Sequence, residues 1–410
     1  MTQDRPDPSA ATVRTRLRPL HVAVALQGMM LWVPIEKLFL DEIGFTAASI
    51  GVMAAAYAGV TPILEIPSGI LADRWSRRGV LMLATVALLC TTLVGGLSES
   101  VPVYIVSAML LGVYFAMYSG TIESIVYDLV LEETGTGDDY QRHLGRVRLT
   151  ESAALVVSAF AGGIIADLTS PRFTYFMTLP FTAVAIVAYL RFTEPRLHRE
   201  GAREALRDHI AVTFRTITRR GELLPVVLLG ALTLLIQQVI FEFGPLWLVA
   251  FAAPAFLFGP YWAGLVASLG IGGVLAGVVR LDRPATSAVF AALMIVCGVL
   301  LSISSDLVVV ITAQIVLALL LSIAGIHASA LLHDAVPSTI RAGVASGVST
   351  LSWVGFLPFV LLLGWVTKEY GVDASGWMVT ATTVIAAALL LRLSTRRRVV
   401  VADVDSVVVS

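Results

Sequence analysis

Apolar runs about twenty residues long recur along this chain, from near residue 19 to near residue 392, with one long charged link near 192–222 between them. An α-helix rises 1.5 Å per residue, so about twenty apolar residues cross a hydrocarbon core ~30 Å thick. Backbone groups find no water there, which favours helices that satisfy their own hydrogen bonds. That ruler places twelve spans, near 19–40, 46–71, 79–97, 102–127, 149–168, 173–191, 223–247, 258–279, 286–303, 307–332, 343–366 and 374–392. Composition agrees: 57% of residues are hydrophobic and 14% charged, against roughly a quarter charged in soluble domains. So much apolar surface excludes a water-soluble enzyme or a nucleic-acid-binding domain.

Charge placement tests the span count independently. With both termini cytoplasmic, every Lys and Arg falls on the inner side except Lys37, Arg172 and Lys368, out of 28. Positive charge in short loops favours the cytoplasm, and a miscounted span would scramble the parity. The twelve-span reading implies a cytoplasmic tail over 1–18, a six-helix bundle over 19–191, a linker over 192–222, a second bundle over 223–392 and a cytoplasmic tail over 393–410. In the linker, Leu206, Ile210, Phe214 and Ile217 recur at helical spacing among arginines, the pattern of a basic amphipathic helix on an anionic leaflet. The first apolar run is of full span length with no small-residue cleavage site, so it reads as an uncleaved helix. Cys90 and Cys297 lie far apart inside apolar runs and offer no disulfide framework or metal-ligand spacing.

The two bundles share a faint repeat. GILA at 69–72 returns as GVLA at 273–276, IVYDLV with Asp128 as LLHDAV with Asp334, and IEKLF with Glu36 as FEFGP with Glu242. Three matches in order at nearly one offset suggest two related six-helix halves, a common plan for building a site at a repeat interface.

Polar residues inside spans are costly, about 2.5–3.5 kcal/mol for a central charge, and usually face a bundle interior. Here they concentrate in every third helix. The first span carries Gln27, Glu36 and Lys37, the fourth Ser119, Glu123 and Asp128, the seventh Gln237, Gln238 and Glu242, and the tenth Gln314 and His327; the second adds Glu65. Tyr57, Thr61, Glu65 and Gly69 step by four along one face, as do Ser119, Glu123 and Tyr127, and Gln238 with Glu242. Such faces either line a polar cavity or bond neighbouring helices. Glu36, Glu65, Ser119, Glu123, Gln238 and Glu242 form the candidate proton and substrate cavity. A desolvated carboxylate without a cationic partner can hold a proton near neutral pH, so these glutamates are chemically sensible proton carriers. No HExxH, CxxC pair, P-loop or GxSxG is present. The chain therefore shows no catalytic residues, metal ligands or ATP site, and active transport would draw on an ion gradient.

Between the second and third spans stands GILADRWSRRGVL, residues 69–81. It resembles the signature of the major facilitator superfamily at that place, written roughly G-x-L-a-D-r-x-G-r-r/k-x-x-l. Gly69, Leu71, Ala72, Asp73, Arg74, Arg77, Arg78 and Leu81 match, and Ser76 replaces the usual glycine. The resemblance implies an all-α, twelve-helix membrane protein of two pseudo-symmetric bundles that works as a rocker-switch transporter, its cavity lined by the first, fourth, seventh and tenth helices. It also implies that Gly69 permits close contact with the eleventh helix and that Asp73 faces that helix's N-terminus, where the macrodipole favours an anion. Arg77 would pair with Asp128 as an inner latch. Two departures stand out: the fifth span reads SAFAGGIIADL, with Gly162 and Gly163 but no proline, and Gly277 occupies the place of the aspartate in the second-half link.

The leading expectation is a proton-coupled exporter of a small organic molecule, drug or metabolite. It needs no cofactor beyond the proton gradient and no nucleic acid, and functions as a monomer in the lipid bilayer. Proton-coupled or facilitated uptake is the alternative within transport. A non-transporting sensor or scaffold on the same fold is the alternative of another class. Abundant arginine beside only two lysines, Lys37 and Lys368, points to a GC-rich bacterial genome and the bacterial inner membrane.

Overall fold

A computed structural model describes residues 8–136, 139–195, 223–335 and 341–395. The linker stretch 196–222, including the expected amphipathic helix, and the terminal segments 1–7 and 396–410 lie outside the described residues. So do the side chains of Glu65, Asp73, Ser119 and Asp334.

Among the described residues, twelve helices are long and apolar enough to cross a membrane. Their elements run Pro8–Gly28 with Val33–Ile35 and Glu36–Glu42, Ala47–Arg74, Arg77–Leu97, Val101–Thr134, Tyr140–Leu168 and Pro171–Arg191 in the first six spans. The second six comprise Leu224–Phe243 with Pro245–Ala250, Ala255–Ala276, Pro284–Ile303, Leu307–Ala335, Arg341–Tyr370 and Val372–Thr395. The first, fourth and fifth helices overrun their apolar segments most. Each adds about two to three turns of charged sequence beyond the greasy stretch, where apolar length alone gives no boundary.

The chain divides into two units, one of residues 1–201 with 252–266, the other of 202–251 with 267–410. In the first, the third span packs on the fourth and sixth, and the first on the fifth and sixth. In the second, the ninth packs on the tenth and twelfth, and the seventh on the eleventh and twelfth. These pairings return six spans later, as the sequence repeat anticipates, but the second span's close packing on the fourth has no counterpart between the eighth and tenth. Leu17, Leu81, Leu88, Ile122, Leu129 and Tyr189 belong to the first unit's buried core, and Val226, Val227, Leu332 and Val348 to that of the second.

The first span is not one rod. The helix ends at Gly28 and resumes through a 3-10 turn at Val33–Ile35 before Glu36. Pro34 supplies no backbone N–H, and broken backbone at membrane depth is tolerated where protein surrounds it. The freed groups find partners: Leu31 N–H donates to Thr178 Oγ1 at 3.1 Å, and Ser158 Oγ donates to the Met30 carbonyl at 3.5 Å. The fifth span accommodates this break through Gly162, where a Cβ would come within 2.0 Å of the Leu31 carbonyl oxygen. The seventh span also changes segment, at Gly244 before Pro245, and the buried Gln314 amide donates to the Gly244 carbonyl at 3.4 Å.

All three exceptions to the charge parity have local partners. Lys37 is buried and pairs with Glu36 at 2.5 Å, and Lys368 pairs with Glu369 at 3.2 Å. Arg172 donates to the carbonyls of Gly96 and Ser98 at 3.2 and 3.1 Å. A cation there complements the partial negative charge at the C-terminus of the third span.

Candidate functional site

The signature stretch forms the end of the second span, a tight turn and the start of the third. Ser76 is the N-cap of the third span, accepting from Gly79 N–H at 2.9 Å. Arg77 makes an ion pair with Asp128 on the fourth span, and its guanidinium also reaches the Ser124 carbonyl at 3.5 Å. Asp128 is buried, so the arginine supplies the countercharge its burial requires. Arg74 points into open surroundings, and a Cβ on Gly69 would meet no described atom within 4 Å.

Sequence reasoning missed the strongest ligand of this turn. Glu194, three residues beyond the sixth span, accepts from Ser76 Oγ at 2.5 Å and from Arg77 N–H at 2.6 Å. Arg78 donates to the Phe192 carbonyl at 3.2 Å. A carboxylate at a helix N-terminus meets unsatisfied N–H groups and the positive end of the dipole together. The available signal was an acid followed by Pro195 in an arginine-rich turn, which has no obvious use until the third span's N-terminus is placed beside it. Glu194→Ala is expected to cost about 1–2 kcal/mol. That should appear as a lower melting temperature of the purified protein, with the spans otherwise intact by circular dichroism.

Arg16 on the first span pairs with both Glu132 and Glu133 at the far end of the fourth. Together with Arg77–Asp128, this ties the fourth span's C-terminal turns to two neighbouring helices.

A second charged group lies further along the fourth span. Arg148 of the fifth span donates to Glu123 at 3.0 Å and to Glu151, one turn on, at 3.0 Å. The side chains of Glu123 and Arg148 remain half exposed at 50% and 39%, while that of Glu151 is at 21%. Glu123 therefore has the cationic partner that its sequence surroundings did not reveal. Apolar run length places Arg148 in the cytoplasmic link, but the fifth helix begins at Tyr140 and carries it alongside the fourth span. Two carboxylates against one guanidinium leave the cluster with formal charge −1 when all are ionised.

Beneath it lies an uncharged buried network. Gln27 donates to Thr85 Oγ1 at 2.8 Å and accepts from Tyr189 OH at 2.7 Å, joining the first, third and sixth spans. Tyr114 and Tyr118 stack with centroids 5.3 Å apart, and the buried Tyr118 hydroxyl has no hydrogen-bond partner among the described residues.

Glu36 sits at the opposite end of the first span. Its carboxylate accepts from Tyr104 OH at 2.8 Å as well as from Lys37, and the Tyr104 and Tyr175 hydroxyls lie 2.6 Å apart. Trp32 stacks on Tyr175 with centroids 5.0 Å apart. The first unit thus separates Glu36 from the Glu123 group and brings Asp128 together with Arg77 and Glu194.

In the second unit, Gln238 and Glu242 are half-buried on the seventh span. The neighbouring Gln237 lines a cavity of about 300 Å³ formed by the seventh and tenth spans with Val348 of the eleventh. Its amide nitrogen is buried without a hydrogen-bond partner among the described residues. Leaving such a donor unsatisfied costs on the order of 1–3 kcal/mol. Among the described residues, no three His, Cys, Asp or Glu side chains gather as a metal site would require.

Twelve helices of spanning length among the described residues, with ion pairs joining neighbouring helices, define a multi-pass membrane protein. The Major Facilitator Superfamily profile matches residues 20–353, and the chain belongs to that family. It is 24% identical over 169 residues to multidrug resistance protein 2 of Bacillus subtilis strain 168, an alignment spanning 41% of this chain and 40% of that protein. Among solved structures, the fold superposes on the nucleoside transporter NupG with a TM-score of 0.74 at 13% identity, covering 94% of this chain and 100% of that one. It matches a bacterial homologue of the human lysosomal transporter Spinster, inward-facing and unoccupied, equally well: TM-score 0.74 at 14% identity over 95% and 98% of the two chains.

Proposed function

We propose that this transporter exports a small organic molecule, a drug or metabolite, in exchange for protons across the bacterial inner membrane, with both termini cytoplasmic. The observation that carries the reading is the Glu123–Arg148–Glu151 cluster. Protonating one carboxylate leaves one guanidinium facing one remaining carboxylate, so a proton changes the strength of the tie between the fourth and fifth spans. The resemblance to a multidrug resistance protein over part of the chain supports export of a drug-like molecule. In this reading Arg77–Asp128, clasped by Glu194, is the cytoplasmic latch, with Asp73 as its further anion. Gly69, Arg74 and Arg78 complete the turn. Opening a latch worth a few kcal/mol is within reach of one proton, which gains about 2.3 kcal/mol per 100 mV of membrane potential, plus any pH gradient.

Everted membrane vesicles test this directly. With an inside-acid gradient imposed, vesicles containing the protein should accumulate members of a panel of hydrophobic fluorescent compounds, and collapsing the gradient with a protonophore should release them. Glu123→Gln should abolish that pH-driven accumulation. Full activity in the variant would transfer the proton to Glu65 or Glu36. Accumulation in the opposite direction would establish uptake, and binding without movement of any compound would establish a sensor.

A further inference from the structure

The cavity of the second unit carries chemistry that the charged clusters do not. Gly230, Thr233, Gln237, Ser322, Gly325 and Ser329 line it, together with aliphatic side chains, and among the described residues none that lines it is ionisable. About 300 Å³ lies at the lower end of small-molecule sites, which run roughly 300–1,000 Å³. Gly230 and Gly325 keep its wall thin: a Cβ on either would come 3.1 Å from Val348 and Thr233, respectively. Thr233 directs its hydroxyl proton to the Gly230 carbonyl at 2.8 Å. The exposed Leu234 and Ile326 mark where the cavity opens. Gln237 lines this wall, and its amide N–H is a buried donor without an acceptor among the described residues. Buried polar groups in folded proteins are nearly always satisfied, and an exception points to a missing partner.

We infer that this cavity binds a neutral, mainly apolar molecule through one hydrogen-bond acceptor, such as a ketone, amide or ester carbonyl, which takes the Gln237 N–H. An anion would find no positive side chain among the described lining residues and a cation no carboxylate, so their chemistry favours an uncharged ligand. The inference names a substrate class for the transport reading above and rests on it.

Benzophenone, a neutral aromatic ketone that photocrosslinks, is the probe. Purified protein in nanodiscs should show saturable labelling concentrated in peptides from Leu224–Phe243 and Leu307–Ala335. Gln237→Leu should weaken the apparent affinity about tenfold, the loss of one hydrogen bond in a dry site. Diphenylmethane, which lacks the carbonyl, should compete equally in both proteins. Gln237→Leu removes an unsatisfied donor and should melt no lower than the parent, so a folding defect does not confound it. Ser329→Phe, which occludes the cavity, should abolish saturable labelling. Labelling spread along all lipid-facing helices in proportion to lipid, or unchanged affinity in Gln237→Leu, would overturn the inference. The labelling measures binding without flux. Its failure therefore leaves the vesicle experiment intact, and a negative vesicle experiment leaves the labelling interpretable.

Discussion

Asp128→Asn should reduce transport at least tenfold and lower stability by about 3 kcal/mol. The substitution takes the Asp128 carboxylate away from the Arg77 guanidinium in a mostly buried setting. Removing one partner of a buried pair typically costs ~3–5 kcal/mol, and the 16% exposure of the Arg77 side chain places this case at the low end. Arg77→Gln should be as harmful, because it strands Asp128, whose side chain is 7% exposed. The double variant Arg77→Gln with Asp128→Asn should recover part of the stability, since no lone charge remains, yet transport should stay slow because the tie between the third and fourth spans is gone. Melting temperatures of the four proteins close a double-mutant cycle. A coupling energy near zero would show that the pair neither holds the fold nor can serve as a latch.

The second large effect is structural. Gly162→Val should prevent accumulation of well-folded protein, and Gly162→Ala should destabilise it by about 3 kcal/mol or more. Overpacking a tight site usually costs ~1–3 kcal/mol. Here the obstacle is the backbone carbonyl of Leu31, only 2.0 Å from the Cβ position, so no side-chain rotation relieves it. The break in the first span would have to move, and with it the bonds from Leu31 to Thr178 and from Ser158 to Met30. Size-exclusion profiles and thermal melts of detergent-purified variants measure this. A Gly162→Ala protein that melts like the parent would show that the first span can shift freely at that point.

These two sites also show what the sequence could carry. The twelve spans were legible because hydrocarbon leaves the backbone little choice but helix, and apolar run length measures membrane thickness directly. Break points were not legible. The first span reads as one apolar run, because a break that is satisfied by Thr178 and Ser158 leaves no trace in local hydropathy. Gly162 and Gly163 were visible only as a remnant of a family pattern, and their close contact with another span's backbone depends on tertiary placement.

The charged partners follow the same logic. Arg77 with Asp128 was anticipated through family resemblance, and the structure brings those two together. Arg148 with Glu123 was not, because hydropathy starts the fifth helix nine residues late and leaves the arginine in a loop. Glu194 escaped notice because its partners lie 117 and 118 residues away. Gln237 and Gln238 differ by about 100° around the seventh span, and sequence alone cannot say which faces a cavity when both are flanked by aliphatic residues.

The central claim is that movement of substrate and proton is obligatorily coupled in opposite directions. Proteoliposomes with equal pH on both sides and the membrane potential clamped to zero test it most directly. A compound that the vesicle panel identifies as substrate is loaded inside, and the external medium, kept free of substrate and only weakly buffered, is followed with a pH electrode. Substrate efflux should alkalinise the medium as protons enter, and Glu123→Gln should abolish that signal. Substrate efflux with no change in external pH, or with acidification, would contradict the account.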